Sequence, residues 1–153
     1  MGVPTTLGQN MHDLSVSNPI SGDELLAALN ELLEAERAGA RVALETANQI
    51  KGHGLTPLVI DIQQDEVRWC KMLLGVIGSL GYLPSTTTGD FYEKAIAIVG
   101  LKARLLFLNR GQGWVVRRLE KLIPRIQESN IRSQLQAMLD AHIQNIQRVK
   151  EGI

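Results

Sequence analysis

A single cysteine, Cys70, is present in 153 residues, so the chain has no internal disulfide framework and no thiol pair for redox exchange. Long apolar runs are also missing. None approaches the roughly 18 residues needed to cross a bilayer, and no basic start leads into an apolar signal core. A cytoplasmic protein without a membrane span is expected. Net charge is absent as well: sixteen basic and sixteen acidic residues cancel, which argues against the broad positive field that nucleic-acid binding needs. No glycine-rich phosphate loop, no Gly-x-Ser-x-Gly nucleophile motif and no zinc-type Cys/His spacing occurs. Those enzyme classes are excluded.

What is present is one domain's worth of helix. The length suits a single core, and 44% apolar residues can fill it. Residues 1–20, rich in Gly, Pro, Ser, Thr and Asn without apolar periodicity, are expected to form a flexible arm, and residues 21–153 the domain. Ser21 and Glu24 form a capping-box spacing that opens a first helix predicted to run to about Ile50, with Leu25, Leu29, Leu32, Ala40, Ala43 and Ala47 on one face. Gly52 and Gly54 turn the chain. A second helix follows to about Gly81 on Leu55, Val59, Ile62, Trp69, Leu73 and Ile77. Residues Tyr82 to Asp90 are too long and polar for a tight hairpin and read as a crossover, followed by a short helix from about Asp90 to Gly100. A third long helix carries Leu101, Leu105, Leu108, Val115, Leu119, Leu122 and Ile126, divided near its end by Pro124. After a turn at Glu128-Ser-Asn, the fourth carries Ile131, Leu135, Met138, Leu139, Ile146 and Val149. Two hairpins joined by one long crossover predict an all-α, antiparallel four-helix bundle of ferritin-like topology.

Polar residues interrupt those stripes once per helix. Glu36, Glu66, Gln112 and His142 each fall where the period requires a core side chain. Measured from the turns, Glu36 lies about 16 residues before the first and Glu66 about 12 after it, while Gln112 and His142 lie about 17 before and 12 after the second. All four therefore share a level near mid-bundle. A buried carboxylate pair needs a proton, a cation or donors.

The segments LNELLEAERAGAR, DEVRWCKML, FYEKA and LNRGQGWVVRRL resemble a bacterial family of ferritin-like domains, and the resemblance spans about residues 21–150. In the ferritin-like superfamily, two helices each give a Glu to a di-metal site and the other two each give a Glu-x-x-His. Position by position, Glu36, Glu66 and His142 match three of those six ligands, Gln112 replaces a Glu, Trp69 a His and Leu139 a Glu. This implies a degenerate site. It leaves three arrangements open: a metal-free hydrogen-bonded layer, one Fe, Mn or Zn ion, or an atypical dinuclear centre.

Two functions follow. One is a non-catalytic interaction or regulatory module, a homodimer through an apolar helix face or a binder of another protein, with the polar layer sealed. The other is a mononuclear or atypical di-iron metal-binding oxidoreductase using Glu36, Glu66 and His142, with a cavity beside His142. Several neighbours complete the reading. Trp69 is expected in the core and Cys70 beside it as a small hydrophobe. Asn109 and Arg110 are expected to cap or close the polar layer, Arg110 as the counter-ion of the two carboxylates; Asp65 is expected to partner Arg68 or a third-helix arginine, and Glu34 to be a surface charge. His12 and His53 are expected in solvent. Gly111 and Gly113 imply either close packing against a bulky neighbour such as Trp69 or Trp114, or an opened helical turn. Arg104, Arg110, Arg117, Arg118, Lys121 and Arg125 make either a basic binding face or solvated faces with some cross-helix pairing.

Overall fold

The computed structural model describes residues 18–153. The arm expected over residues 1–20, with His12, therefore lies almost wholly outside the described residues. Five α-helices occupy Gly22–Gln49 (α1), Thr56–Ser79 (α2), Phe91–Ile96 (α3), Leu101–Leu122 (α4) and Ser129–Gly152 (α5), and a 3-10 turn spans Ile123–Arg125. None of the described helices is long and apolar enough to cross a membrane. Helices α1 and α2 form one hairpin, α4 and α5 the other. Around the bundle α1 also touches α4, and α2 touches α5, so α1 and α5 are diagonal. The expected four-helix arrangement with a long crossover is observed.

Local chemistry explains the boundaries. Ser21 caps α1, its Oγ accepting from the Glu24 amide at 3.3 Å. The return half of the expected capping box is not made, because the Glu24 carboxylate accepts two bonds from Arg125 at 2.6 and 2.8 Å, a charge-assisted fork stronger than a bond to an amide. Gly52 takes a φ of 83°, a left-handed angle that ends the first hairpin's turn at little cost. His53 is exposed, yet its Nδ1 accepts from the Leu55 amide at 3.0 Å and helps start α2. Pro124 divides α4 from α5 through the 3-10 turn. Ser129 and Asn130, expected in that turn, are instead the first residues of α5.

The crossover is strapped along α1. Asn30 Oδ1 accepts from the Ser85 amide at 2.8 Å, Arg37 donates to the Ser85 and Thr87 carbonyls, and Ser85 Oγ donates to Glu34. Glu34 is thus an anchor for the strap and not a free surface charge. Helix α3 then sits over α1 and α4. Tyr92 donates to Glu45, and Arg41 lies over the Tyr92 ring at 3.9 Å. Phe91 stacks on Phe107 with centroids 5.0 Å apart.

Phe91 also accounts for Gly111. A Cβ there would stand 2.8 Å from two Phe91 ring carbons, so the bulky neighbour is Phe91 of α3, not Trp69 or Trp114. Helix α4 runs as unbroken α-helix through Gly111 and Gly113, so the opened turn is not formed.

Three of the six residues of the supposed basic face are held by other groups. Arg104 is 9% exposed and donates to the carbonyls of Ile96 and Ile98, to Thr46 Oγ1 and to Gln49 Oε1, tying the end of α3 to the end of α1. Arg118 pairs with Glu31 at 3.4 Å and covers Trp114, and Arg125 is held by Glu24. Pairs as exposed as these add little to stability, because solvent screens them.

The apolar core is in two blocks. One packs Leu29, Leu33, Trp69, Leu73, Leu119 and Leu135 with their neighbours. The other packs Val42, Val59, Ile62, Leu105, Leu108 and Val149 with theirs. The interval between them is where Glu36, Glu66, Gln112 and His142 fall.

Arg104 leads to the first expectation: Arg104→Met keeps the stem but strands buried acceptors, and should lower stability by about 2–3 kcal/mol. Arg110→Met, at an exposed site, should change it by less than about 0.5 kcal/mol. Urea melts of both variants measure the difference, and equal small effects would refute the anchoring role.

Candidate metal centre

All four residues singled out from the sequence point into the interval between the blocks. Glu36 and His142 are 1% exposed, Glu66 and Gln112 3%. One donor atom from each of Glu36, Glu66 and His142 lies within 4.8 Å of the other two. Among the described residues this is the one group of three such side chains so disposed. Ligands bound to a single ion at about 2.0–2.2 Å stand at most about 4.4 Å apart, so only a small closing of side chains separates this trio from a coordination set.

His142 is fixed from behind. Its Nδ1 lies 2.9 Å from the Met138 carbonyl, and a carbonyl can only accept, so Nδ1 carries hydrogen. The remaining nitrogen, Nε2, faces Glu36 across the diagonal of the bundle, 3.0 Å from Oε1 and 3.3 Å from Oε2. Hydrogen-bond alignment is met at Oε2, and Oε1 has no partner by that test. A ring whose far N–H is held by a carbonyl is the usual arrangement of a metal-ligating histidine.

Two carboxyls so deeply buried do not ionise easily. Desolvation, the largest influence, raises Glu36 from 4.5 to about 8, with a hydrogen bond to Glu66 opposing and the charge of Asp65 adding to the rise. Glu66 is also raised well above its ordinary value, first by burial and next by the Glu36 charge, against the attraction of His142. The same surroundings push the Cys70 thiol up to about 12, chiefly by burial and then by the two carboxylates, so Cys70 is inert as a nucleophile.

Satisfaction of the layer is incomplete. Glu36 Oε1, Glu66 Oε2, Gln112 Nε2 and the Trp69 indole nitrogen are buried without a hydrogen-bond partner. In native interiors such atoms are few and each asks for an explanation. A cation would serve the carboxylate oxygens. It would not serve Trp69, which fills the core beside Leu73, as expected.

A pocket of about 540 Å³ reaches this layer between α1, α4 and the crossover, with Glu36, Glu66 and Gln112 on its inner wall. His142 is not part of the lining. The pocket approaches the layer from the α1/α4 side, while Glu36, Glu66 and Gln112 themselves stay 1–3% exposed.

Some contributors were not anticipated. Gly39, one turn after Glu36, is required by Glu66: a Cβ would stand 3.0 Å from its Cδ and Oε1. Its place three residues from Glu36 on the inward face was the available signal. Asn145, 4% exposed, donates to Asp65 at 2.9 Å, so Asp65 pairs across to α5 and not with an arginine. Asn109, expected from sequence to cap or close the layer, donates to the Ile146 carbonyl at 3.1 Å. Arg110, expected as the counter-ion, is exposed and lies over Phe107 at 5.3 Å, too far outside to meet the carboxylates.

Comparisons place these features among known proteins. A family model described as "Domain of unknown function (DUF6306)" matches residues 23–151. No curated protein matches the chain. A solved structure from Bacillus anthracis str. Ames, described as that of ferritin like, diiron-carboxylate proteins, superposes with a TM-score of 0.73 at 20% identity. It covers 86% of this chain and 98% of its own. The shared fold is ferritin-like.

The raised carboxyls fix a pH dependence. Between about pH 4.5 and 8 the unfolded chain has released protons that the folded layer still holds, so stability must fall as pH rises through that window. Each retained proton contributes a slope of about 1.4 kcal/mol per pH unit. Chemical denaturation in EDTA from pH 5 to 8 should show this decline, and the Glu36→Gln, Glu66→Gln double variant should flatten it. A wild-type profile that rises over the same range would refute the protonated layer.

Proposed function

The chain belongs to the DUF6306 family, and from that premise we propose that it is a metal-handling bundle in which Glu36, Glu66 and His142 hold one Fe, Mn or Zn ion. One observation carries the reading: three buried donor groups converge within 4.8 Å, and Glu66 Oε2 among them has no hydrogen-bond partner. Mixed carboxylate and imidazole donors suit these ions. The amide of Gln112 stands at the same layer, and its oxygen is a weak fourth donor if the amide turns. Two ions in the manner of a di-metal carboxylate site are disfavoured, because Trp69 and Leu139 hold the positions of further ligands and both are packed into the core.

An ion there would supply Lewis acidity toward water or substrate, or redox chemistry if iron or manganese. The residues do the rest. Met138 sets the tautomer of His142, Gly39 leaves room for the Glu66 carboxylate, and the two apolar blocks exclude bulk water. An interaction or regulatory module, the other reading from sequence, calls for a sealed layer. The opening beside Glu36, Glu66 and Gln112 favours metal handling. Assembly as a homodimer and residence in the cytoplasm remain proposals that rest on sequence alone.

Protein purified without a metal-affinity step and loaded with Fe(II), Mn(II) or Zn(II) should retain about one ion per chain by elemental mass spectrometry. Glu36→Ala and His142→Ala should each abolish retention. Gly39→Ala, by displacing the Glu66 carboxylate, should weaken affinity about 10–100-fold. Failure of all three metals to remain bound would remove the proposal.

A further inference from the structure

The pocket that reaches the polar layer has a lining of its own, which indicates what it accepts. Its walls are mostly apolar: Phe91 and Phe107 form a stacked pair, Trp114 and Val115 continue along α4, and Ala35 lies opposite on α1. Gly39 and Gly111 widen it by carrying no side chain. A volume of about 540 Å³ is within the range of small-molecule sites.

The mouth has an electrostatic asymmetry. Its three acidic residues already have partners: Glu31 pairs with Arg118, Glu34 accepts from Ser85, and Asp90 pairs with Lys94. Its two arginines do not. Among the described residues neither Arg110 nor Arg117 has a carboxylate within ion-pair distance; Arg110 rests over Phe107 and Arg117 lies back against Gly113. They stand on the same face of α4, one turn to either side of Trp114, about 10 Å apart along the axis. Both guanidiniums are exposed and line the pocket. At its inner end, Gln112 Nε2 is a buried donor without an acceptor.

We propose that this pocket binds a small amphipathic carboxylic acid, its carboxylate held by Arg110 and Arg117 at the mouth and its apolar body against Phe91, Phe107 and Trp114. A planar guanidinium fork matches a carboxylate, and aromatic walls match an apolar or aromatic body. The end remote from the carboxylate then faces Glu36, Glu66 and Gln112, where the Gln112 N–H₂ group meets a substituent oxygen or a water. This inference rests on the metal reading only for the role of that inner end as the reacting end.

The test is calorimetric titration of 3-phenylpropionate into the protein, in EDTA and after zinc loading, beside 3-phenyl-1-propanol as the uncharged analogue. The acid should bind in both states and the alcohol about tenfold or more weaker. The Arg110→Gln, Arg117→Gln double variant should lose about tenfold to a hundredfold for the acid, with unchanged metal content, while Arg148→Gln, in the exposed pair with Asp61 and outside the pocket lining, should bind the acid as the parent does. Absence of binding at millimolar acid, equal binding of acid and alcohol, or no loss in the double variant would overturn the inference. Acid binding by protein that retains no metal would leave the pocket standing and remove only the metal reading.

Discussion

Two carboxyl groups and an imidazole enclosed by hydrocarbon must share protons or a cation, because the alternative is bare buried charge costing several kcal/mol per ion. Much of this bundle is arranged around that requirement. The apolar core is interrupted at one level, with a block of leucine, tryptophan and isoleucine on one side and a block richer in valine and alanine on the other. Each long helix gives one polar side chain to the interval. His142 is aimed by a backbone carbonyl of its own helix, so its orientation is set before it meets Glu36. Glycine at position 39 of α1 leaves room for the Glu66 carboxylate where it stands.

The second constraint is access. Helices α1 and α4 are neighbours, and the crossover could have closed the seam between them. Instead it is strapped onto the outer side of α1 by Asn30, Glu34 and Arg37, and α3 is anchored by Arg104 and by the Phe91 contact with Gly111. A pocket remains between the strap, α3 and α4 that ends at the carboxyls. A layer kept solely for packing would have no need of such an opening, and its unsatisfied oxygens would be simpler to replace by apolar groups.

The sequence revealed this layer because helical periodicity is a strong rule and Glu36, Glu66, Gln112 and His142 break it at matched distances from two clear turns. The four long helices, the crossover and the division at Pro124 were legible for the same reason. Pairings between side chains were not. Arg104 and Arg110 look alike on paper, yet one is buried among carbonyls and the other rests on a ring, a difference set by where α3 docks. Gly111 announced close packing but could not name Phe91, which arrives from another helix. Asp65 and Asn145 meet across α2 and α5, and nothing in either local stretch marks the pair. Likewise the spacing of Ser21 and Glu24 promised a full capping box, until Arg125 from the far end of the chain took the carboxylate.

Resemblance to a diiron-carboxylate fold is a statement about architecture at 20% identity. In this chain Trp69 and Leu139 are packed in the core, and Gln112 is buried in the polar layer. Raised carboxyls in that layer hold protons that a bound cation would displace. The most direct test is to count protons released when zinc binds near pH 7, by calorimetry in buffers of different ionisation enthalpy. Raised Glu36 and Glu66 carboxyls predict release of about one to two protons per ion, abolished together with binding in His142→Ala. Zinc uptake without proton release, or uptake that survives the loss of His142, would contradict the account.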